Sequence, residues 1–185
     1  MKNAGIRTGA DYLHGLRDDR EIWTRGNRVK DVTIEPGISG GAASLAGFLD
    51  RQHEDAYRDN VTFLDTNGVR CAKSHMAPKS KKDVLSRGRA FYEWAKWSNG
   101  MFGRTPDYKN ASLMAFAHAT DFLAQGTVGQ ADFAKNMVNY YDEVRLNDKV
   151  LTHTLINPSV SHSQFNTGKF CLLYTSPSPR DFEAS

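Results

Sequence analysis

The chain has 185 residues, a formal net charge of +3, 39% hydrophobic residues and 24% charged residues. This length is enough for one domain with a hydrophobic core, and the proportions are ordinary for a globular protein. They do not indicate a dedicated nucleic-acid surface, because the basic run KSKK at residues 79–82 is best interpreted as the solvated start of a helix.

The sequence also lacks the patterns of membrane and secreted proteins. No run is apolar and long enough for a membrane-spanning helix, and the first residues have no apolar core like that of a secretory signal. The two cysteines, Cys71 and Cys171, have neither metal-site spacing nor a disulfide framework. We therefore expect a cytoplasmic protein with reduced cysteines and no metal.

The first part of the chain predicts short helices and two hairpins. Thr8 caps a helix, and Asp11 completes a capping box three residues later. The run EIWTRGNRVKDV alternates around RGN and predicts a hairpin, and Asn67-Gly68 marks a second hairpin. Between them, GGAASLAGFLDRQHED predicts a helix with an apolar stripe formed by Ala43, Leu45, Phe48 and Leu49.

Three longer helices are predicted next, followed by a strand. The first begins at Ser80, where Asp83 completes a capping box, and ends near Gly100. The second runs from TPDY through ASLMAFAHATDFLAQG, and the third is QADFAKNMVNYYDEVRLND. The run KVLTHTLIN is rich in β-branched residues and predicts a strand. The core positions predicted for the second helix are Leu113, Met114, Ala117, Phe122 and Leu123.

The stretch GRTPDY carries the first candidate site. Thr105 suits an N-cap and Pro106 the first helical position, so free backbone N–H groups gather there. Arg104 adds a fork of donors, and Tyr108 adds a hydroxyl on an aromatic ring. Such a helix start can bind a small anionic or phenolic oxygen. Spacing alone favours the plainer interpretation, an ordinary helix start with two surface side chains.

His153, in the β-rich run LTHTLIN, is the second candidate. An imidazole there can exchange a proton near neutral pH. A half-buried structural histidine is the alternative that the residues alone favour. No Gly-rich phosphate loop is present, because GISGG at residues 37–41 lacks the required spacing and preceding strand.

The tail has no helical or strand period. The run CLLYTSPSPRD at residues 171–181 is what a common sequencing-library transposase adapter encodes when it is translated. We therefore expect the natural part of this sequence to end near Phe170 and the residues after it to be an artefact. The natural protein would continue beyond Phe170 with a different sequence. Composition alone would favour a disordered natural tail instead.

Three runs in order carry a family resemblance: RTGADYLHGLRDDREIWTRGNRVKDV, GRTPDYKNASLMAFA and NDKVLTHTLINP. Together they resemble the oxygenase component of 4-hydroxyphenylacetate 3-monooxygenase and related flavin-dependent phenol hydroxylases. The resemblance implies a mainly α, acyl-CoA-dehydrogenase-like N-terminal domain with small β-hairpins, followed by a β middle domain and a C-terminal helical bundle. The expected divisions are residues 1–148 for the helical domain, 149–170 for the truncated start of the middle domain, and 171–185 for the non-native tail.

The resemblance also implies the site. In the family, the arginine and tyrosine of the RTPDY motif and the histidine of the TH strand face the phenolic oxygen, which makes Arg104, Tyr108 and His153 the expected catalytic residues. The remaining residues of the motif, Thr105, Pro106 and Asp107, complete the expected substrate-binding set. The expected flavin-lining residues are His153, Thr154, Leu155, Ile156, Ser159, Val160, Ser161 and His162. Ser159 and His162 depart from the glutamine and arginine of many relatives, which leaves the subfamily open.

The implied activity is ortho-hydroxylation of a phenol. A separate reductase would supply reduced FAD, which reacts with O2 to give a flavin hydroperoxide that attacks the ring. The full-length enzyme would be a homotetramer. By itself, this chain is expected to be inactive and to bind FAD weakly or not at all, because a flavin site needs walls on several sides.

Two other functions remain open at this stage. One is an enzyme like 4-hydroxybutyryl-CoA dehydratase on the same scaffold, which holds an iron–sulfur cluster with cysteines. The chain has no cysteine between Ser80 and Pro158, which argues against it. The other is a non-catalytic interaction domain.

Overall fold

The structure is a computed structural model that describes residues 5–100, 108–125 and 132–151. Within these ranges the chain is mainly helical, as the sequence predicts. Two short 3-10 turns, Arg51–His53 and Lys73–His75, accompany the α-helices. The helices are α1 (Gly9–Gly15), α2 (Ser39–Asp50), α3 (Arg58–Val61), α4 (Lys81–Trp97), α5 (Asn110–Ala117), α6 (Thr120–Leu123) and α7 (Phe133–Leu146).

Side-chain caps fix the starts of α1 and α4. At α1 the Thr8 hydroxyl accepts from the Asp11 backbone N–H, and the Asp11 carboxylate accepts from the Thr8 N–H, which confirms the predicted capping box. At α4, Ser80 caps Asp83 as predicted. The Asp83 carboxylate there accepts from the Ser80 hydroxyl and the Lys79 N–H, so half of the predicted box is replaced.

Both predicted hairpins form. Strands β1 (Ile22–Thr24) and β2 (Asn27–Val29) pair antiparallel with Trp23 opposite Arg28. The turn between them needs positive φ at Arg25 (49°) and Gly26 (81°), which glycine adopts without strain. Strands β3 (Thr62–Leu64) and β4 (Arg70–Ala72) pair with Phe63 opposite Cys71.

The predicted second long helix is interrupted. It ends at Ala117, and α6 begins only at Thr120. The His118 imidazole hydrogen-bonds the Met114 carbonyl oxygen at 2.8 Å, and Ala119 leaves the helical region at ψ 40°. Phe122 is 71% exposed as a result, so its predicted core role is wrong, whereas Leu113 and Met114 are buried as predicted.

Two apolar clusters hold these helices together. One joins α5 to α7 and contains Leu113, Met114, Ala117, Tyr141 and Val144. The other joins α2, α3 and α4 and contains Phe48, Val61, Ala90 and Trp94. In α2 the buried alanines are Ala42 and Ala46. Ala43, predicted for the apolar stripe, is exposed.

The first described residues are tied to the end of α7. The Gly5 N–H donates to the Leu146 carbonyl oxygen, and the Ile6 N–H donates to that of Arg70. The described residues belong to one structural unit that ends at Leu151. The predicted strand from residue 152 onward, the middle domain and the tail lie outside the described residues, so those domain boundaries stay predictions. Among the helices of the described part, none has the length and apolarity to cross a membrane.

Candidate functional site

Tyr108 is the one predicted site residue that the structure describes. It lies in a π-helical turn directly before α5, and its side chain is 46% exposed. The Tyr108 carbonyl oxygen accepts from the Ser112 hydroxyl at 2.7 Å, and the Lys109 ammonium lies 5.1 Å from the centre of the Tyr108 ring. Outside the described residues lie Arg104, Thr105, Pro106, Asp107, His153, Thr154, Leu155, Ile156, Ser159, Val160, Ser161 and His162.

Asn110 anchors the helix that follows Tyr108. It is the first residue of α5 and is buried, and its Nδ2 donates to the Ser74 hydroxyl at 2.9 Å. Ser74 belongs to the second 3-10 turn and is fully buried. A buried amide–hydroxyl bond of this kind fixes the register between two elements, because losing it would leave polar atoms without partners. The bond to Ser74 therefore fixes the start of α5 against the second 3-10 turn.

The chain that leads toward His153 lies beside the start of α5. Asn110, Asp148, Val150 and Leu151 line the same small cavity. Leu151 also packs against the cluster formed by α5 and α7. Asn110 is two residues after Tyr108, and Leu151 is two residues before His153. Within the described part, a residue that follows Tyr108 and residues that precede His153 thus line one cavity.

Hydrogen bonds to Asp148 hold the segment that lies beside the start of α5. Its carboxylate accepts from the Arg7 backbone N–H (3.1 Å) and from Gln52 Nε2 (2.7 Å). Its carbonyl oxygen accepts from Arg7 Nε and a terminal guanidinium nitrogen at 3.0 and 2.8 Å. Burial raises the pKa of Asp148, although the hydrogen bonds from Arg7 and Gln52 act to lower it.

His75 and Tyr141 form a buried pair, which the sequence analysis missed. The Tyr141 hydroxyl donates to the His75 carbonyl oxygen at 2.6 Å, and the two rings meet edge to face. Burial lowers the pKa of His75 to about 3, and the charges of Arg145 and Arg87 add to this, so the imidazole is neutral. Burial raises the pKa of Tyr141 to about 12. No sequence signal marks the pair, because its members lie 66 positions apart.

Comparisons with known proteins agree with the resemblance seen in the sequence. The family model described as 4-hydroxyphenylacetate 3-hydroxylase N terminal matches residues 8–169. The chain is a mainly helical N-terminal domain of the hydroxylase type. It belongs to the 4-hydroxyphenylacetate 3-hydroxylase N-terminal family.

Individual relatives show how much of the protein is covered. The oxygenase component of 4-hydroxyphenylacetate 3-monooxygenase from Thermus thermophilus is 37% identical over 164 residues, which are 88% of this chain and 32% of the relative. A monooxygenase from Streptomyces globisporus, which acts on a carrier-protein-bound 3-amino-3-(3-chloro-4-hydroxyphenyl)propanoyl group, is 34% identical over 88% of this chain and 30% of its own.

A solved structure agrees in fold. The crystal structure of a 4-hydroxyphenylacetate 3-monooxygenase oxygenase component with FAD and 4-hydroxyphenylacetate has a TM-score of 0.75 and 37% identity, covering 88% of this chain and 33% of that one. The chain therefore spans about a third of the length of the relatives it matches.

Proposed function

We propose that this chain is the N-terminal part of an FAD-dependent aromatic ortho-hydroxylase that uses O2. The observation that carries the proposal is the convergence of the Tyr108 helix with the segment leading to His153 around one cavity. Family membership supports it, because the relatives are named as monooxygenase oxygenase components and one was crystallised with FAD and a phenolic acid.

In this proposal three side chains act on the substrate's phenolic oxygen. A free phenol has a pKa of about 10, and its ionised form is the better nucleophile at the ring. Arg104 would favour the ionised form by its charge, and His153 would accept the proton. Tyr108 would donate a hydrogen bond to the same oxygen and so orient the ring.

The cofactor in this proposal is FAD in its reduced form, which supplies the activated oxygen when it is bound. Residues 153–156 and 159–162 would line it. They lie outside the described residues. Val150 and Leu151, which precede them in the chain, are described and line the small cavity beside α5. The chain's own task there is to hold that segment and to exclude water from the reacting groups.

The substrate class is a para-substituted phenol. The named relatives act on different phenols, one on free 4-hydroxyphenylacetate and one on a carrier-bound aryl group. We propose 4-hydroxyphenylacetate or a similar phenolic acid for this chain. A separate reductase would deliver the reduced flavin, in keeping with the oxygenase-component name of the relatives, and the whole enzyme would be a cytoplasmic homotetramer.

The test uses the longest natural chain that contains these residues, supplied with a flavin reductase, FAD and 4-hydroxyphenylacetate. The expected product is a catechol. Replacing His153→Ala should lower the hydroxylation rate by roughly a hundredfold or more, the usual size of a general-base contribution. Tyr108→Phe should raise KM and divert oxygen to hydrogen peroxide, because the ring is less well oriented.

A matched control is Tyr140→Phe, which removes the hydroxyl of a tyrosine that is 52% exposed on α7 and should leave both readouts unchanged. Hydroxylation at the parental rate in His153→Ala would refute the assigned proton acceptor. Absence of catechol from the parent with a panel of phenols would refute the function.

The dehydratase alternative is not favoured. The comparisons match hydroxylase relatives over most of the chain. Cys71 is the cysteine within the described residues, and it is fully buried. Burial raises the pKa of its thiol to about 11, and one cysteine does not supply the several thiolates that hold an iron–sulfur cluster.

A further inference from the structure

The second 3-10 turn, Lys73–His75, is buried and hydrogen-bonded to four helices. All three of its residues are buried, and Ser74 and His75 are 0% exposed. Because losing the partner of a buried polar group is costly, such a turn fixes the helices that bind it relative to one another. Its partners are Asp59 of α3, Arg87 of α4, Asn110 of α5 and Tyr141 of α7.

One of these four bonds joins two side chains, whereas the other three end on backbone carbonyl oxygens. It runs from Asn110 Nδ2 to the Ser74 hydroxyl at 2.9 Å. Both residues are buried, so bulk water does not replace either partner. Every residue type offers a carbonyl oxygen, but this bond requires a hydroxyl at position 74 and an amide at position 110.

The start of α5 is fixed by this bond and not by a capping side chain. Lys109, at the N-cap position of α5, makes no side-chain capping bond within the described residues. By contrast, α1 and α4 begin with the capping side chains of Thr8 and Ser80. The first residue of α5 is instead fastened to a different element of the fold, through the bond between Asn110 and Ser74.

Tyr108 is carried by the backbone that this bond holds. It lies in the π-helical turn two residues before Asn110, and its side chain is 46% exposed. Its carbonyl oxygen accepts from the Ser112 hydroxyl at 2.7 Å, which ties the π-helical turn to the first turn of α5. A shift of Asn110 would therefore move Tyr108 as well.

We propose that Asn110 and Ser74 are positioning residues for Tyr108, because their buried hydrogen bond holds the turn from which Tyr108 reaches the phenolic substrate. The part that concerns the substrate rests on the proposed function. Neither positioning residue touches the substrate. A displaced Tyr108 hydroxyl makes a longer and less well aligned hydrogen bond, so the phenol ring is oriented less well for attack.

Ser74→Ala removes the hydroxyl with little change of shape. The assay uses the longest natural chain that contains these residues, with a flavin reductase, FAD and 4-hydroxyphenylacetate. We expect KM to rise about fivefold, the usual worth of one neutral hydrogen bond, and more of the oxygen to end as hydrogen peroxide. A variant that only lost folded molecules would lower kcat and keep KM.

The matched control is Ser44→Ala. The Ser44 hydroxyl is exposed on α2 and donates to the Gly40 carbonyl oxygen of the same helix. This variant should therefore keep the parental KM and peroxide yield. If Ser74→Ala behaved like Ser44→Ala in both readouts, the proposal would be overturned.

Combining Ser74→Ala with Tyr108→Phe shows whether Ser74 acts through Tyr108. Once the Tyr108 hydroxyl is absent, its position no longer affects the substrate. In that background Ser74→Ala should change KM by less than about twofold, because the effects of two residues that act together do not add. A full fivefold rise in the Tyr108→Phe background would mean that Ser74 acts independently of Tyr108, and the proposal would be wrong.

Amide hydrogen exchange tests the anchor without any activity. We expect residues 108–114 to exchange faster in Ser74→Ala and residues 9–15 of α1 to exchange as in the parent. Asn110→Leu, which has a similar volume and no amide, should give the same pattern from the other end of the bond. Unchanged exchange in residues 108–114, or an equal rise throughout the chain, would overturn the anchor. If the parent makes no catechol, the role toward the substrate falls with the proposed function, and exchange decides the anchor alone.

Discussion

At the scale of single residues, one nearly buried ion pair joins residues that no local sequence pattern links. Arg145 on α7 contacts the Asp65 carboxylate at 2.7 Å, and their side chains are 11% and 7% exposed. Asp65 also accepts from the Asn67 and Val69 backbone N–H groups, so it organises the loop between β3 and β4. The pair therefore fastens this hairpin to α7.

Arg145→Met tests the value of this pair. The methionine fills similar space but leaves the Asp65 carboxylate buried without its cation, which typically costs about 3 kcal/mol or more. We expect a decrease of that size in the free energy of unfolding, measured by urea denaturation. Arg20→Met is the control, because the pair between Arg20 and Asp18 is exposed and should contribute less than about 1 kcal/mol. Equal losses in the two variants would contradict the argument.

Two buried carboxylates should respond to pH in opposite directions. Burial tends to raise the pKa of Asp65, but hydrogen bonds from Arg145 and from backbone N–H groups outweigh it and the pKa is lowered. Its contribution is present above the unfolded pKa and is lost as pH falls through the folded value. Burial raises the pKa of Asp148, so this group instead costs stability once pH rises above its unfolded pKa.

The variant Asp148→Asn tests the expectation that the charged Asp148 carboxylate costs stability at neutral pH. The amide keeps an oxygen for the Arg7 and Gln52 donors, carries no charge to bury, and tolerates the positive φ of 44° as well as aspartate does. We expect the variant to be at least as stable as the parent at pH 7 and to lose that advantage near pH 4. Urea denaturation across this range measures it. A variant less stable at pH 7 than at pH 4, relative to the parent, would show that the carboxylate is stabilising.

At the scale of elements, the sequence predicts what is decided locally. The caps Thr8 and Ser80 and the hairpin turn Asn67-Gly68 are short-range signals, and the helices and hairpin they predict form. The break at His118 was not predicted, because ATDFL continues a helical pattern, and the bond between the His118 imidazole and the Met114 carbonyl oxygen beside the break leaves no sequence signal. Ala43 was predicted for the buried face of α2 but is exposed, because periodicity alone does not show which elements pack against the helix.

The contact between α1 and α2 depends on Gly9. Its N–H donates to the Asp50 carboxylate at 2.7 Å, and a Cβ there would lie 2.5 Å from the Ala46 carbonyl oxygen. Backbone atoms cannot yield to such a clash without moving a helix. The RTG run therefore uses its glycine for close helix packing.

Gly9→Ala should consequently push α1 away from α2. We expect a loss of about 2 kcal/mol or more in the free energy of unfolding, as for other overpacked sites. Gly15→Ala in the same helix is the control, because nothing lies within 4 Å of a Cβ there and alanine favours the helix. The midpoint of thermal unfolding should fall in Gly9→Ala and should rise or stay the same in Gly15→Ala. A tolerated Gly9→Ala would refute the close approach.

At the scale of the whole molecule, the candidate site is a prediction that rests on the family resemblance. Spacing favoured an ordinary helix start at Thr105 and an ordinary strand histidine at His153. Within the described residues, Asn110, Asp148 and Leu151 line one cavity. They do not form a sequence motif, because such contacts depend on long-range packing. Arg7 opens the first matching run, and Asp148 is the second residue of the last one. The two residues lie 141 positions apart and are hydrogen-bonded, so the described beginnings of these two runs are in contact.

Arg7 near the start of the described chain is hydrogen-bonded to Asp148, which follows α7 and precedes His153 in the sequence. Arg7→Gln removes both guanidinium bonds to the Asp148 carbonyl oxygen while keeping the backbone N–H that binds the Asp148 carboxylate. We expect faster amide hydrogen exchange in residues 146–151, since local opening at this end no longer has to break the clamp. The hairpin turn at Arg25 and Gly26 should exchange as in the parent.

The control is Arg17→Gln, which removes a cation that pairs with Asp31 at a half-exposed site and should leave exchange at the end of α7 unchanged. Mass spectrometry of peptides from both regions makes the comparison. If exchange rose equally throughout the chain in Arg7→Gln, the arginine would stabilise the fold in general. If protection is lost only in residues 146–151, Arg7 in the first matching run holds the described beginning of the last matching run in place. The start of the chain would then stabilise the segment that leads to His153.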